Sequence, residues 1–121
     1  SSKNLKDVED ISKWMRYNFS ESERRYFAGM IDGDGHVGVR VPKNRKHLKL
    51  SVVLELRHDH AEPVTRLAEL FDLSVSKKVY LKAKNTQPSL KVELSGVKSR
   101  LFLICIYPYM LEKKKRTKEI I

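Results

Sequence analysis

Residues 27–35 read Phe27-Ala28-Gly29-Met30-Ile31-Asp32-Gly33-Asp34-Gly35, and they close a segment that opens with Ser20-Glu21-Ser22-Glu23. In that opening, the Ser20 hydroxyl and the Glu23 carboxylate have the spacing to satisfy each other's orphan amides at a helix start. A helix is expected from about Glu21 to Asp32, because Gly33 and Gly35 invite positive φ and discourage another turn. Gly29 and Gly33 lie four apart on one helical face, so two copies of the helix can approach with backbones nearly touching. Such a pair would bring two Asp34 carboxylates together, which is costly unless cations lie between them. Oxygen-rich, hard-ligand sites of that kind suit Mg²⁺. The same pattern also fits a helix C-cap with solvated aspartates.

Downstream of the string the period changes from helical to two. Val37, Val39 and Val41 alternate with His36, Gly38 and Arg40; Leu48, Leu50, Val52, Leu54 and Leu56 then alternate with Lys49, Ser51, Val53, Glu55 and Arg57. That is a β-hairpin with a basic tip. Pro63 sits where a first helical turn tolerates it, and Val64, Leu67, Ala68, Leu70 and Phe71 form a helical apolar stripe. A second hairpin follows: Val75, Val79 and Leu81 against Ser76, Lys78, Tyr80 and Lys82, then Leu90, Val92 and Leu94 against Lys91 and Glu93. Lys77 falls on the apolar parity, which leaves its direction open. A helix over Val97 to Tyr107 is broken by Pro108, and a last basic helix is expected from near Glu112. Residues 1–20 read as a helix with apolar positions Leu5, Val8, Ile11, Met15 and Phe19, an extension packed on a domain spanning 21–121. The order is α+β, with one antiparallel sheet apolar toward the helices and polar on its open face.

At 121 residues the chain is one domain, and its 40% hydrophobic content is enough for a buried interior. No apolar run approaches the ~18 residues of a membrane span, and the N-terminus has no signal-peptide core, so a soluble intracellular protein is expected. One cysteine, Cys105, excludes an internal disulfide framework and a cysteine-built zinc site. The net charge is +10, and residues 36–58 and 74–95 carry eleven Lys/Arg against two carboxylates, or +9 of it. Both segments are hairpins. A polyanionic partner is implied.

The nine-residue string resembles the LAGLIDADG motif of homing endonucleases, departing at Phe27 for Leu, Met30 for Leu and Gly33 for Ala. The resemblance runs from roughly Glu21 to Lys118. It implies the αββαββα fold with a four-stranded antiparallel DNA-binding saddle, here preceded by the extra N-terminal helix. It also implies a homodimer of the single-motif type, joined through Phe27, Ala28, Gly29, Met30 and Gly33. The last motif aspartate of the family coordinates the catalytic metal, which here is Asp34, and the Gly33 carbonyl resembles the second ligand; Mg²⁺ is implied, with Mn²⁺ substituting. Asp32 would cap and orient the helix ends. Pro108-Tyr109-Met110-Leu111-Glu112-Lys113 fits the family pattern P-[FY]-L-x-x-K with Met for Leu, which nominates Lys113 to stabilise charge at the scissile phosphate or tune the attacking water. Where related enzymes place a water-positioning polar residue, more familiarly Gln, this chain has His58. His36 and His60 read as turn or groove polar residues, because His58-Asp59-His60 has no transition-metal partner nearby in sequence.

The activity implied is sequence-specific, metal-dependent hydrolysis of double-stranded DNA at a long pseudo-palindromic site. Bases would be read by Arg40, Lys49, Ser51, Glu55, Arg57, Lys78, Tyr80, Lys82, Lys91 and Glu93, and phosphates by Lys43, Arg45, Lys46 and Lys84. The alternative on the same fold is a non-cleaving DNA-binding regulator or an RNA splicing maturase. A generic RNA-binding α+β domain is a third reading, poorly supported because the open face offers only Tyr80 as a stacking platform.

Overall fold

The computed structural model describes residues 13, 15, 18–40, 48–79 and 87–121, with the Arg40 side chain excepted. Helix α1 spans Glu21–Asp34 and feeds strand β1 at Gly35–Arg40. Strand β2 covers Lys49–Arg57 and passes through a 3₁₀ turn at His58–His60 into α2 at Glu62–Phe71. Strands β3 at Ser76–Lys78 and β4 at Ser89–Ser95 lead to α3 at Val97–Ile106. A 3₁₀ turn at Tyr107–Tyr109 precedes α4 at Lys114–Ile120. The four strands form one antiparallel sheet in the order β1-β2-β4-β3, so the second strand of each hairpin lies at its centre. This is the α+β architecture expected. Among the described residues no helix is long and apolar enough to cross a membrane.

The helices cover one face of the sheet because the apolar parity of each central strand points there. Val52 and Leu54 of β2 and Val92 and Leu94 of β4 are buried beneath α1, α2 and α3. Phe102 sits at the junction, with Phe19 stacked on it at 5.9 Å between ring centroids and Phe27 and Phe71 edge-on at 6.1 and 5.7 Å. Met15 and Phe19 belong to this same core; the rest of the helix expected over 1–20 lies largely outside the described residues. On the edge strand the alternation weakens. Val37 is buried, whereas Val39 stays 42% exposed.

Three local expectations are corrected. Helix α1 continues two residues past Asp32, because Gly33 stays helical and the Gly35 N–H donates to the Ile31 carbonyl. Neither Gly33 nor Gly35 has positive φ; the only glycine that does, among the described residues, is Gly96 at +65°. Gly35 is required for closeness instead, since a Cβ there would lie 2.8 Å from the Ile31 backbone. The third concerns the start of α1. Ser20 Oγ accepts from the Glu23 N–H at 3.2 Å as expected, and the Ser20 backbone amide also reaches the Glu23 carboxylate, but only as a minor partner. The carboxylate's main partner is the Arg66 guanidinium of α2 at 2.7 and 3.1 Å, a two-pronged charged donor that binds more strongly than one neutral amide.

The Arg66 hydrogen bond and charge hold Glu23 below its ordinary value of 4.5, so the pair's stabilisation is complete above that pH and is lost as acid titrates the carboxylate through its lowered value. Both side chains are partly open to water, which screens the pair. Glu23→Gln should therefore destabilise the fold by roughly 0.5–1 kcal/mol near neutrality, shrinking as the pH falls below 4.5. Urea melts across that range give the difference directly, and a pH-independent offset would contradict the assignment.

Candidate nucleic-acid interface and cleavage site

The end of α1 is held by its own aspartate. Asp32 is 9% exposed, and its carboxylate accepts three consecutive backbone N–H groups: Leu111 at 2.5 Å, Glu112 at 3.3 Å and Lys113 at 2.9 Å. Those amides precede α4, so α4 begins at Lys114 and not near Glu112 as expected. The Lys113 ammonium then turns back and donates to the Asp32 carbonyl at 2.5 Å. Carbonyls at a helix C-terminus carry partial negative charge, which suits a cation. Lys113 is thus pinned to the last turn of the helix that ends in Asp34.

The Asp34 side chain is exposed, and no described residue forms a hydrogen bond or ion pair with it. Gly29 and Gly33 share an open face, where an added Cβ would meet nothing within 4 Å. Tyr26, 52% exposed, and the partly buried Met30 lie on the same stripe by helical spacing. Phe27 and Ala28 do not. Both are fully buried in the chain's own core, which removes their side chains from the outward face expected of them. Tyr26 was not picked out from the sequence, although its position three residues before Gly29 carries the signal. No group of three or more His, Cys, Asp or Glu side chains suited to a metal occurs among the described residues. At this helix end the chain brings the exposed Asp34 carboxylate and helix-terminal carbonyls, hard oxygen donors of the type Mg²⁺ favours.

The open sheet face is a grid, because directly paired residues share a face. Its rows, from one end, are Arg40 and Lys49; Gly38, Ser51 and Ser95; His36, Val53 and Glu93; Glu55, Lys91 and Ser76; then Arg57, Ser89 and Lys78. Seven of the base-reading positions expected from sequence (Lys49, Ser51, Glu55, Arg57, Lys78, Lys91 and Glu93) fall on this face, and the Arg40 backbone is in register with it. Lys43, Arg45, Lys46, Tyr80, Lys82 and Lys84 lie outside the described residues. Pairing with Leu90 assigns Lys77 to the helix side of the exposed edge strand. The His36 ring lies over Gly38, where a Cβ would come within 3.0 Å of Nε2. Arg57 holds Asp59 at 2.6 Å, and that hydrogen bond keeps the aspartate below its usual range.

His58 opens the 3₁₀ turn that follows β2, four residues beyond Leu54, the partner of Gly35. Its backbone N–H donates to the Pro88 carbonyl at 2.9 Å, and its ring Nδ1 is 3.2 Å from the same oxygen, so it ties β2 to the start of β4.

With this geometry in place, the chain aligns with solved structures of homing endonucleases. It superposes on the homing endonuclease I-CvuI, solved in complex with its target in the presence of Ca, with a TM-score of 0.65 and 14% identity over 87% of this chain and 66% of that one. I-CvuI bound to the I-CreI target in the presence of Mg, with the DNA not cleaved, gives 0.62 and 13% over 83% of this chain and 64% of that one. The group I intron-encoded homing endonuclease I-CeuI, complexed with DNA, gives 0.60 and 13% over 97% of this chain and 69% of that one. The chain thus has the fold of these homing endonucleases, at about two thirds of their length. No protein-family model and no curated protein sequence matches it.

Asp32→Ala would leave three amides without their acceptor and should cost at least about 2 kcal/mol of unfolding free energy. It should also speed amide exchange at 111–113 beyond any change in the β2–β4 ladder. Chemical denaturation with hydrogen exchange measures both, and uniform loosening would contradict the clamp.

Proposed function

We propose that this chain is a single-motif LAGLIDADG homing endonuclease: a homodimer that binds a long, pseudo-palindromic DNA duplex and hydrolyses one phosphodiester on each strand with Mg²⁺ or Mn²⁺. Residues 21–121 would form the endonuclease domain and 1–20 its helical extension. The observation that carries this reading is the placement of exposed Asp34 and pinned Lys113 at one helix end, beside an open, polar, four-stranded face. The +9 carried by the two hairpin segments supplies the attraction for phosphates.

A single Asp34 is half of a site, and a two-fold pairing through the Tyr26, Gly29, Met30 and Gly33 stripe would complete it. Asp34 and the Gly33 carbonyl from each protomer would hold the ion, which supplies activation of the attacking water and neutralisation of the leaving oxygen. Lys113, anchored at the Asp32 carbonyl, would place its ammonium near the scissile phosphate as charge develops there. The same anchoring distinguishes it from Lys114, whose ammonium donates to the Pro108 carbonyl at 3.3 Å.

Asp34→Asn should retain duplex binding and lose cutting in Mg²⁺. Lys113→Met should slow single-turnover cleavage of bound duplex by about 10²–10³-fold, the scale of one lost transition-state donor, while Lys115→Met should leave that rate unchanged. Tight duplex binding by the wild type with no cutting in Mg²⁺ or Mn²⁺ would transfer the reading to a non-cleaving regulator or a maturase. Gly29→Leu should separate the paired helices and sediment as a monomer; a wild-type protein that is monomeric with and without duplex contradicts the dimer.

A further inference from the structure

The two central strands carry the same spacing, Ser51-Val52-Val53-Leu54-Glu55 on β2 and Ser89-Leu90-Lys91-Val92-Glu93 on β4. The antiparallel register crosses them. Ser51 Oγ of β2 donates to Glu93 Oε2 of β4 at 2.9 Å, and Ser89 Oγ of β4 donates to Glu55 Oε2 of β2 at 2.7 Å. A local two-fold axis at the level of the Leu54 and Val92 pair relates the two hydrogen bonds. Both serines are buried and both glutamates are part-buried on the open face, so each carboxylate is fixed before any ligand arrives. Each of the two basic hairpin segments, 36–58 and 74–95, holds one of these carboxylates and no other.

We propose that the crossed Ser–Glu pairs are pre-set readers of cytosine, committing each half-site to two C·G base pairs. This rests on the duplex-DNA reading above. A carboxylate is acceptor-only, with about four lone-pair sites; the serine hydroxyl takes one, and a base amino group can compete for the others. In the major groove cytosine presents the N4 amino donor, whereas adenine sets its N7 acceptor beside its N6 donor and so opposes a carboxylate. Lys91 lies directly opposite Glu55 in the ladder, and the acceptor and donor side by side match cytosine N4 and guanine O6/N7 of one base pair. Glu55 and Glu93 are two residues apart along the sheet and one strand across, roughly 8 Å, which spans two to three base steps of ~3.4 Å. The deep, narrow major groove of duplex RNA would not admit this face.

The test is selection of bound sequences from a randomised DNA duplex library, with Ca²⁺ in place of Mg²⁺, for the wild-type chain and four variants. The wild type should select two C·G positions per half-site. Glu55→Gln and Glu93→Gln keep the side-chain shape and the serine's acceptor, and each should move the preference at its own position from C toward A by tenfold or more, because an amide can pair with adenine N6 and N7. Ser89→Ala and Ser51→Ala should keep cytosine but weaken discrimination severalfold at the Glu55 and Glu93 positions respectively. Sequence-specific binding that all four variants leave unchanged overturns this inference alone, since the serines and glutamates would then only stabilise the sheet. A wild-type chain that binds no duplex overturns the functional reading and this one together.

Discussion

Asp32 joins parts of the chain about eighty residues apart, and the organisation of the candidate site depends on it. Its carboxylate gathers the amides of Leu111, Glu112 and Lys113 while its carbonyl receives the Lys113 ammonium. A buried carboxylate is tolerated only when its acceptor sites are filled, so the chain before α4 must return to this point. The helix end and the return segment then act as one body, and Asp34 and Lys113, the two groups proposed to carry the chemistry, keep a fixed relation. Of the two motif aspartates, one is consumed in building the site and the other is left exposed at its edge.

The sheet divides its work between faces in the same way. Its inner parity is filled by Val52, Leu54, Val92 and Leu94 packed beneath the phenylalanine cluster, which fixes the register of the central strands, because a one-residue slip would bury the polar set. The outer parity is then free to present charge and hydrogen-bonding groups in rows about 7 Å apart. On the proposed reading, positive charge gives affinity for duplex without sequence information, and the two hydroxyl-held glutamates supply the opposite sign at defined places.

Much of this was legible in the residues. Period-two alternation located β2 and β4, the apolar stripe at 64–71 located α2, and the glycine and aspartate string placed the end of α1 to within two residues. The reasons assigned to particular residues were less legible. Glu23 has the spacing of a capping box, but its strongest partner is Arg66, forty-three residues away, and local spacing cannot reveal a tertiary partner. Gly35 reads as a turn glycine, whereas its role is to let the strand leave close against Ile31. Phe27 and Ala28 read as part of a contact face because the motif was taken as a unit; a helix has an inward side, and these two occupy it. The crossed serine and glutamate pairs were invisible until the β2–β4 pairing aligned two identical spacings in opposite directions.

The central claim is that two copies of this chain, each bringing one Asp34, cut duplex DNA at a site read by the open sheet. Sequencing of the DNA ends produced when the protein is incubated with a randomised duplex library and Mg²⁺ tests it most directly. The account predicts one recurrent sequence with two-fold symmetry and a single cut on each strand, placed symmetrically about its centre. Ends scattered without a common sequence, or cuts confined to one strand with no symmetry, would contradict it.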